Sequence, residues 1–471
     1  MKFLLTIIWL ISTLFTSGQP CDCLKALNFL EIEYEQNLAS YQHQVVQYKR
    51  VAEYEKYKNS INLIAAKISD TRNCVGLVSR YQAFFRDEHL FVNYKEDFYK
   101  FSSLNDSDII ANTFKNEQRL LNKISQTTDK KLEGIWYFQD GSFAVNIIAS
   151  KGVNREWAAV MEADFSPFWF KGQIKMEFIK DENNELNCIY WRGKRTPKYM
   201  KTTLTDSVLC IGREFKFYRN KKQVLSEKSK LRKDFEFEQL SISTNYLRIP
   251  SFDLENFKLI DSLVARNLGE IEKAPNLIID LRDNGGGGDH SYKALLPLIF
   301  DSKIIRDPIT ASVWVSENNF KYYDSTKFDI AETKVDSINE INYVEKLRPY
   351  IGNFQPIVFV NDTLELVYPY PKKIVLLTNR WCGSSTEGFV MLAKESKKVI
   401  QMGENTGGMV SYGDWRRIEL PELPIWVTCT TKKMTFFNGQ DIESIGITPN
   451  ILFDATNENK WIEQVQKYLE Q

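Results

Sequence analysis

Two short stretches carry the residue types from which an acyl-transfer site is built. In Leu277-Ile-Ile-Asp-Leu-Arg-Asp-Asn-Gly-Gly-Gly-Gly288 an apolar run ends abruptly in four glycines. A buried strand there delivers a loop whose backbone N–H groups can approach a ligand closely, because glycine has no Cβ to stand in the way. Convergent N–H groups of that kind make an oxyanion hole. A second apolar strand, Ile374-Val-Leu-Leu-Thr378, stops at Asn379-Arg-Trp-Cys-Gly383; Ser384-Ser-Thr-Glu387 and a helical pattern in Phe389, Val390, Leu392 and Ala393 follow. A serine at that junction sits at a helix N-terminus, where amides and dipole favour negative charge. Together the stretches read as a serine hydrolase site. Ser384 also fits a plainer role as helix cap, with Glu387 three residues on completing a capping box. Cys382, beside it, reads as a small apolar packing residue rather than a thiol nucleophile.

Two further motifs follow in order, Gly403-Glu-Asn-Thr-Gly-Gly408 and Glu443-Ser-Ile-Gly-Ile-Thr-Pro449. With these four motifs the chain resembles the C-terminal processing (tail-specific) serine proteases, a group that includes the tricorn protease core. The resemblance covers residues 240 to 455 and touches the N-terminal half at one point. It implies that the nucleophile is the serine three residues before the glutamate, Ser384, with the amides of Ser385 and of Gly286 or Gly287 as oxyanion donors. In the commoner branch a downstream lysine in a Gly-Lys-Gly context is the general base. Here that position is Met409, in Gly407-Gly-Met-Val-Ser411, and a thioether cannot take a proton. Lys432 and Lys433 lie too far along to correspond to it.

The tricorn-like branch uses an upstream histidine and a glutamate near the C-terminus instead. The chain has three histidines, His43, His89 and His290. His89 stands in Phe84-Phe-Arg-Asp-Glu-His-Leu90, similar to the Asp-Gly-His-Thr signature of that branch, with Glu88 replacing the glycine and Leu90 the threonine. Glu443 falls 59 residues after Ser384, in the Glu-x-x-Gly-Ile-x-Pro context where the branch carries its histidine-orienting acid. Asn450 replaces the aspartate usual after that proline.

The chemistry is consistent with those roles. A serine hydroxyl is a weak nucleophile and needs a base that is neutral near pH 7. Histidine, with an ordinary pKa of about 6.5, suits this. A carboxylate on the other ring nitrogen fixes the tautomer and stabilises the imidazolium. The expected assignment is Ser384 as nucleophile, His89 as base and then acid, and Glu443 as orienter. Plainer readings stand beside it: His89 as a surface histidine next to two acids, Glu443 as a turn carboxylate, and His290, just after the glycine loop, as the rival site residue.

Residues 1–19 read as a secretory signal peptide, with a charged start and thirteen largely apolar residues from Phe3 to Phe15. Gly18-Gln-Pro20 lacks the small residue needed just before a lipidated cysteine, so an anchor at Cys21 is not expected. The expected location is exported, periplasmic or extracellular. Charge is balanced, 61 basic against 61 acidic residues, with no basic stripe to suggest nucleic acid. No cofactor is implied, and no His/Cys cluster or acidic loop has metal-ligand spacing. Seven cysteines leave one unpaired in a monomer; Cys21 or Cys23 with Cys74, and Cys188 with Cys210, are the pairings to test. The implied partner is a peptide or protein substrate, and nothing sets the oligomeric state.

The expected fold class is an α/β catalytic domain (236–471) of the crotonase/ClpP-like spiral type, preceded by a helical N-terminal region and a small antiparallel β domain. The helical region, 20–125, carries His89; its stripe Leu38, Tyr41, Val45, Tyr48, Ala52 recurs at three and four. Residues 126–235 form a small β-sheet or β-barrel domain, with a hairpin signal at Asp140-Gly141 and dense aromatics. Residues 316–370 read as an insertion covering the site. A catalytically inactive peptide- or apolar-ligand-binding member of the same fold is the alternative function. An esterase ranks last, since no Gly-x-Ser-x-Gly elbow is present.

Overall fold

The computed structural model describes residues 21–95, 129–165, 169–213, 215–221, 234–305, 309–326, 342–357, 362–436 and 442–471. The signal-peptide reading, residues 1–19, lies outside them.

The chain starts with helices α1 (Cys23–Asn37), α2 (Ala39–Tyr41), α3 (Val51–Ala65) and α4 (Thr71–Gln82). Asp22 and Asp70 cap α1 and α4, each accepting an amide from three residues on. A disulfide, Cys23–Cys74, ties the first helix to the last. The stripe expected from Leu38 to Ala52 holds at Leu38, Tyr41 and Val45, which are buried. It fails at Tyr48, which is exposed because a π-helical turn, Gln42–Gln47, and the positive φ of Lys49 redirect the chain. The helical pattern also gives out before residue 95, at strand β1 (Val92–Tyr94); residues 96–125 of the expected helical region are outside the described residues.

Eight antiparallel strands, β2 (Gly134–Phe138) through β9 (Phe215–Tyr218), close into a barrel, with β2 pairing β9. The Asp140-Gly141 turn joins β2 to β3 (Ala144–Gly152), with Gly141 at φ 70°. Cys188 and Cys210 are both free thiols, so the expected bridge between them is absent. Cys188 pairs with Met200 and Cys210 with Thr203, placing a whole strand between them. Two strand spacings are about 9.5 Å, beyond the roughly 7 Å limit for a disulfide. Met200 and Thr203, an odd number of residues apart, also point to opposite faces.

The C-terminal half is built on a six-stranded sheet in the order β10 (Glu236–Gln239), β11 (Thr244–Arg248), β12 (Asn276–Asp280), β17 (Lys373–Thr378), β18 (Val399–Gly403), β21 (Ile451–Leu452). All neighbours are parallel except the edge strand β10. Parallel strands covered on both faces are apolar throughout. Leu277 and Ile279 face α5 (Phe257–Ile271) and α8 (Ser385–Ala393), while Ile278 faces α9 (Trp461–Leu469).

A second sheet joins β1 to β20 (Ile425–Phe436), which also pairs β14 (Ile309–Val315) and β19 (Tyr412–Glu419). Of the described parts of the expected insertion, β15 (Asn353–Ile357) pairs β14 in this sheet, the helix Glu317–Thr326 meets α1 where Asn319 donates to Asn37 O at 2.8 Å, and Asp362–Thr363 pairs Ile304–Ile305 in a separate two-stranded sheet. One apolar core joins helices, barrel interior and β20, through Tyr34, Phe85, Trp136, Ile425 and Val427 among others. Helical region and catalytic half are therefore a single packed unit where they meet.

Asp280 ends β12 fully buried, accepting from Tyr246 Oη at 2.9 Å and pairing with Arg248 (3.3 Å) and Arg282 (2.6 Å). Burial opposes its ionisation, but the two guanidinium groups hold its pKa below the ordinary value. Asp280→Ala strands two buried guanidinium groups. The expected cost is about 3–5 kcal/mol, read as a lower urea midpoint at unchanged m-value.

Candidate active site

Ser384 immediately precedes α8 with φ 53° and ψ −126°. A non-glycine residue in such backbone costs about 1–3 kcal/mol and persists only where its surroundings hold it. Asn284 does much of the holding. Its carbonyl accepts Gly383 N at 3.1 Å, and its side-chain oxygen accepts Thr386 Oγ1 at 2.7 Å and Gly286 N at 3.0 Å. Ser385 Oγ donates to Gly287 O at 3.0 Å, fastening the glycine loop to the helix start. The loop lies so close that a Cβ on Gly286, at φ 103°, would stand 2.7 Å from Gly383 O and 2.8 Å from Ser384 Cβ.

The helix-cap reading of Ser384 is half realised. Glu387 accepts the Ser384 amide, but the Ser384 side chain makes no capping bond. The serine hydroxyl is therefore not spent on the helix. Of the two glycine amides, that of Gly286 is committed to Asn284, whereas those of Gly287 and Ser385 donate to no protein acceptor among the described residues.

His89 lies on a turn that follows α4 and is stapled to β20. Asp87 accepts His89 N at 3.0 Å and Thr430 Oγ1 at 2.6 Å, and Thr428 Oγ1 donates to His89 O at 2.6 Å. Glu443 lies against the same turn, accepting Glu88 N at 2.9 Å and Ser411 N at 2.8 Å. The structure thus brings Glu443 to the His89 turn through the backbone. His89 Nδ1 is buried with no hydrogen-bond partner among the described residues. His290 is exposed, with its ring edge-on to Phe257 at 5.1 Å. Met409 packs its thioether against Gly383.

Residues 243–453, a little under half of the chain, match Peptidase family S41. That segment is a Peptidase family S41 domain, and the chain is a serine-type peptidase similar to the C-terminal processing proteases. No curated protein matches the sequence. Two solved structures share the fold. Mature CPAF is 13% identical with a TM-score of 0.51 and covers 95% of each chain. Mature CPAF complexed with lactacystin is 13% identical with a TM-score of 0.50, covering 95% of this chain and 97% of that one.

The sequence motifs include Asn284 and Glu387 but not the bonds these residues make, and they gave no sign of the barrel residues that reach the same turns. Asn284 lies within the glycine motif, yet only the fold shows its amide pinning both strand ends. Glu387 is fully buried and also accepts Gly408 N at 2.7 Å and Met409 N at 2.6 Å. The barrel contributes Arg213, which donates to Ser444 O at 2.9 Å and Thr406 O at 3.2 Å, and Lys198, paired with Glu88 at 2.9 Å. Lys432 pairs with Asp414, and that carboxylate outweighs burial to keep the ammonium protonated. It is an unsuitable base. Among the described residues no group of three or more His, Cys, Asp or Glu could hold a metal, and no helix is long and apolar enough to cross a membrane.

Burial pushes the His89 pKa down to about 4, against the pull of the Glu88 and Asp414 carboxylates. Burial and then Asp87 hold Glu443 well above the ordinary carboxylate range. With its folded pKa below the unfolded value, His89 stays neutral through the neutral range; its stabilising contribution is present above pH ~6.5 and is lost as pH falls towards 4. The acid limb of kcat/KM is accordingly expected near pH 4. A limb at pH 6 to 7, abolished by removing His89, would contradict this environment. Gly286→Ala should lower kcat/KM by roughly 100-fold or more, the scale of a lost oxyanion interaction, because its Cβ displaces Ser384. Stopped assays beside a circular dichroism melt separate that from unfolding.

Proposed function

We propose that this peptidase cleaves peptide bonds by acyl transfer to Ser384, with His89 as general base and Glu443 orienting it. The observation that carries the reading is the strained Ser384 turn, with its hydroxyl released from capping and the glycine loop against it. Ser384 Oγ attacks the scissile carbonyl carbon while His89 takes its proton. The amides of Gly287 and Ser385 receive the oxyanion, and the Gly286 amide holds the loop through Asn284. His89 then protonates the leaving amine, and water attacks the acyl ester with the same residue as base. Glu443 is already held at the histidine turn, so a small ring movement or one bridging water supplies its contact to Nδ1. The catalytic half is assigned to the crotonase/ClpP-like α/β spiral, a reading supported by its parallel sheet with helices on both faces.

The protein is further proposed to be exported after removal of residues 1–19, since the Cys23–Cys74 disulfide fits an oxidising compartment. A second reading, an inactive binding protein of the same fold, is favoured by one observation, the unpartnered Nδ1 of His89. A fluorophosphonate probe separates the two. Wild-type protein lacking residues 1–19 is expected to label, and Ser384→Ala and His89→Ala are expected to lose the label. A folded, unlabelled wild type would favour the binding reading.

A further inference from the structure

One residue of strand β19 departs from strand backbone. Asp414 has φ 44°, although its neighbours pair regularly with β20, Gly413 opposite Lys432 and Trp415 opposite Thr430. A positive φ is costly for a residue with a Cβ and persists where the surroundings enforce it. The same register sets Asp414 against Thr431, whose hydroxyl donates to Asp414 O. Strand alternation would turn the Asp414 side chain to the Thr431 face, away from Lys432 and Thr430. Its carboxylate instead pairs with Lys432. The reversed φ goes with a side chain re-aimed to the other face.

That other face is the one on which the His89 turn sits. Thr430 Oγ1 donates to Asp87 and Thr428 Oγ1 to His89 O, and Lys432 is next in the same row. From there the Asp414 carboxylate reaches in two directions. It acts electrostatically on His89, and it acts on Asp289, whose own carboxylate lies in hydrogen-bond reach of the Ser385 hydroxyl. Asp414 thus stands between the histidine turn and the start of the nucleophile's helix. The other acids of the turn are engaged elsewhere: Asp87 accepts His89 N, Glu443 accepts the amides of Glu88 and Ser411, and Glu88 pairs with Lys198 at 2.9 Å. The Lys432 side chain is 21% exposed and that of Asp414 46%, so the ammonium is the inner partner of the pair.

We infer that Asp414 is a positioning residue for the proposed base: Lys432 holds its carboxylate where it stabilises the imidazolium formed as His89 takes the Ser384 proton. The step moves one proton from Ser384 Oγ to the ring and leaves a cation there. Burial opposes that cation, pushing the ring pKa down to about 4, and the Glu88 and Asp414 carboxylates pull the other way. A carboxylate in reach favours the cation, the more so where water has been excluded. Lys432 sets how strongly Asp414 pulls, because a paired carboxylate presents a weaker field than a bare one. The inference rests on the reading of His89 as the base.

The field on His89 is readable without turnover. Full-length protein isotopically labelled at histidine Cε1 is titrated by NMR; of the three histidines, the His89 signal is the one that His89→Ala removes. Asp414→Asn is expected to lower the His89 pKa by roughly 0.5 and Lys432→Met to raise it by a similar amount, with Asp414→Glu close to wild type. Opposite signs are the signature of a field. Lost packing would admit water and raise the pKa toward ~6.5 in both variants. No fall in Asp414→Asn, or a rise in both, overturns the inference. At neutral pH, fluorophosphonate should label Asp414→Asn about 3-fold or more slowly than wild type, and Asp414→Glu should restore most of the rate. A shifted titration with an unchanged rate also overturns it, since the carboxylate would then act on the ring but not on the reaction. Wild-type protein that never labels refutes the peptidase reading, and the titration then decides alone whether Asp414 and Lys432 set the charge of the ring.

Discussion

A single buried carboxylate, Glu387, holds the parts of the site in register. It accepts the amides of Ser384, Gly408 and Met409 and the hydroxyl of Thr406. Burial raises its pKa, and the four donors that fill its lone pairs offset part of that cost. The consequences spread outward. The Ser384 turn is fixed to the glycine pair at 407–408; Gly408 accepts Ser444 N at 2.8 Å, which fixes the turn carrying Glu443; and Glu443 accepts Glu88 N, which fixes the histidine turn. Ser384, Glu443 and His89 come from three separated parts of the chain, and one network of backbone amides links their turns.

The same network includes the methionine that stands in the lysine position. Met409 contributes its amide to Glu387 and its thioether to the packing against Gly383, so the loop keeps its shape without a charged side chain. His89, the base proposed in its place, is kept neutral by burial. The barrel takes part as well. Arg213 and Lys198 reach across to the 406, 444 and 88 positions, and Phe215 meets Trp381 at 6.1 Å, three residues before the nucleophile. The barrel braces the Glu88 and Ser444 turns from outside the parallel sheet.

The glycine loop and the serine helix start were legible in the sequence because their cause is local. Four glycines after an apolar strand permit positive φ and close approach, and Gly286 and Gly287 use both. The barrel strands were legible from the dense aromatics and from Asp140-Gly141. The Cys188–Cys210 pairing was misread because sequence spacing carries no record of the strand lying between them. Strand β15, within the expected insertion, was not legible for a related reason: it acquires its regularity only by pairing with β14, which in turn pairs β20.

By itself the sequence determined which backbone segments could make an oxyanion site and which side chains could supply nucleophile, base and acid. Those are properties of residue type and of spacing within one strand, turn or helix. Only the tertiary structure decided that the His89 turn is clamped to β20 by Asp87, Thr428 and Thr430, and that Glu443 meets it through Glu88 N. Those contacts join residues more than 330 positions apart. Their geometry is set by the shared apolar core of helices, barrel and sheet, which no local pattern encodes.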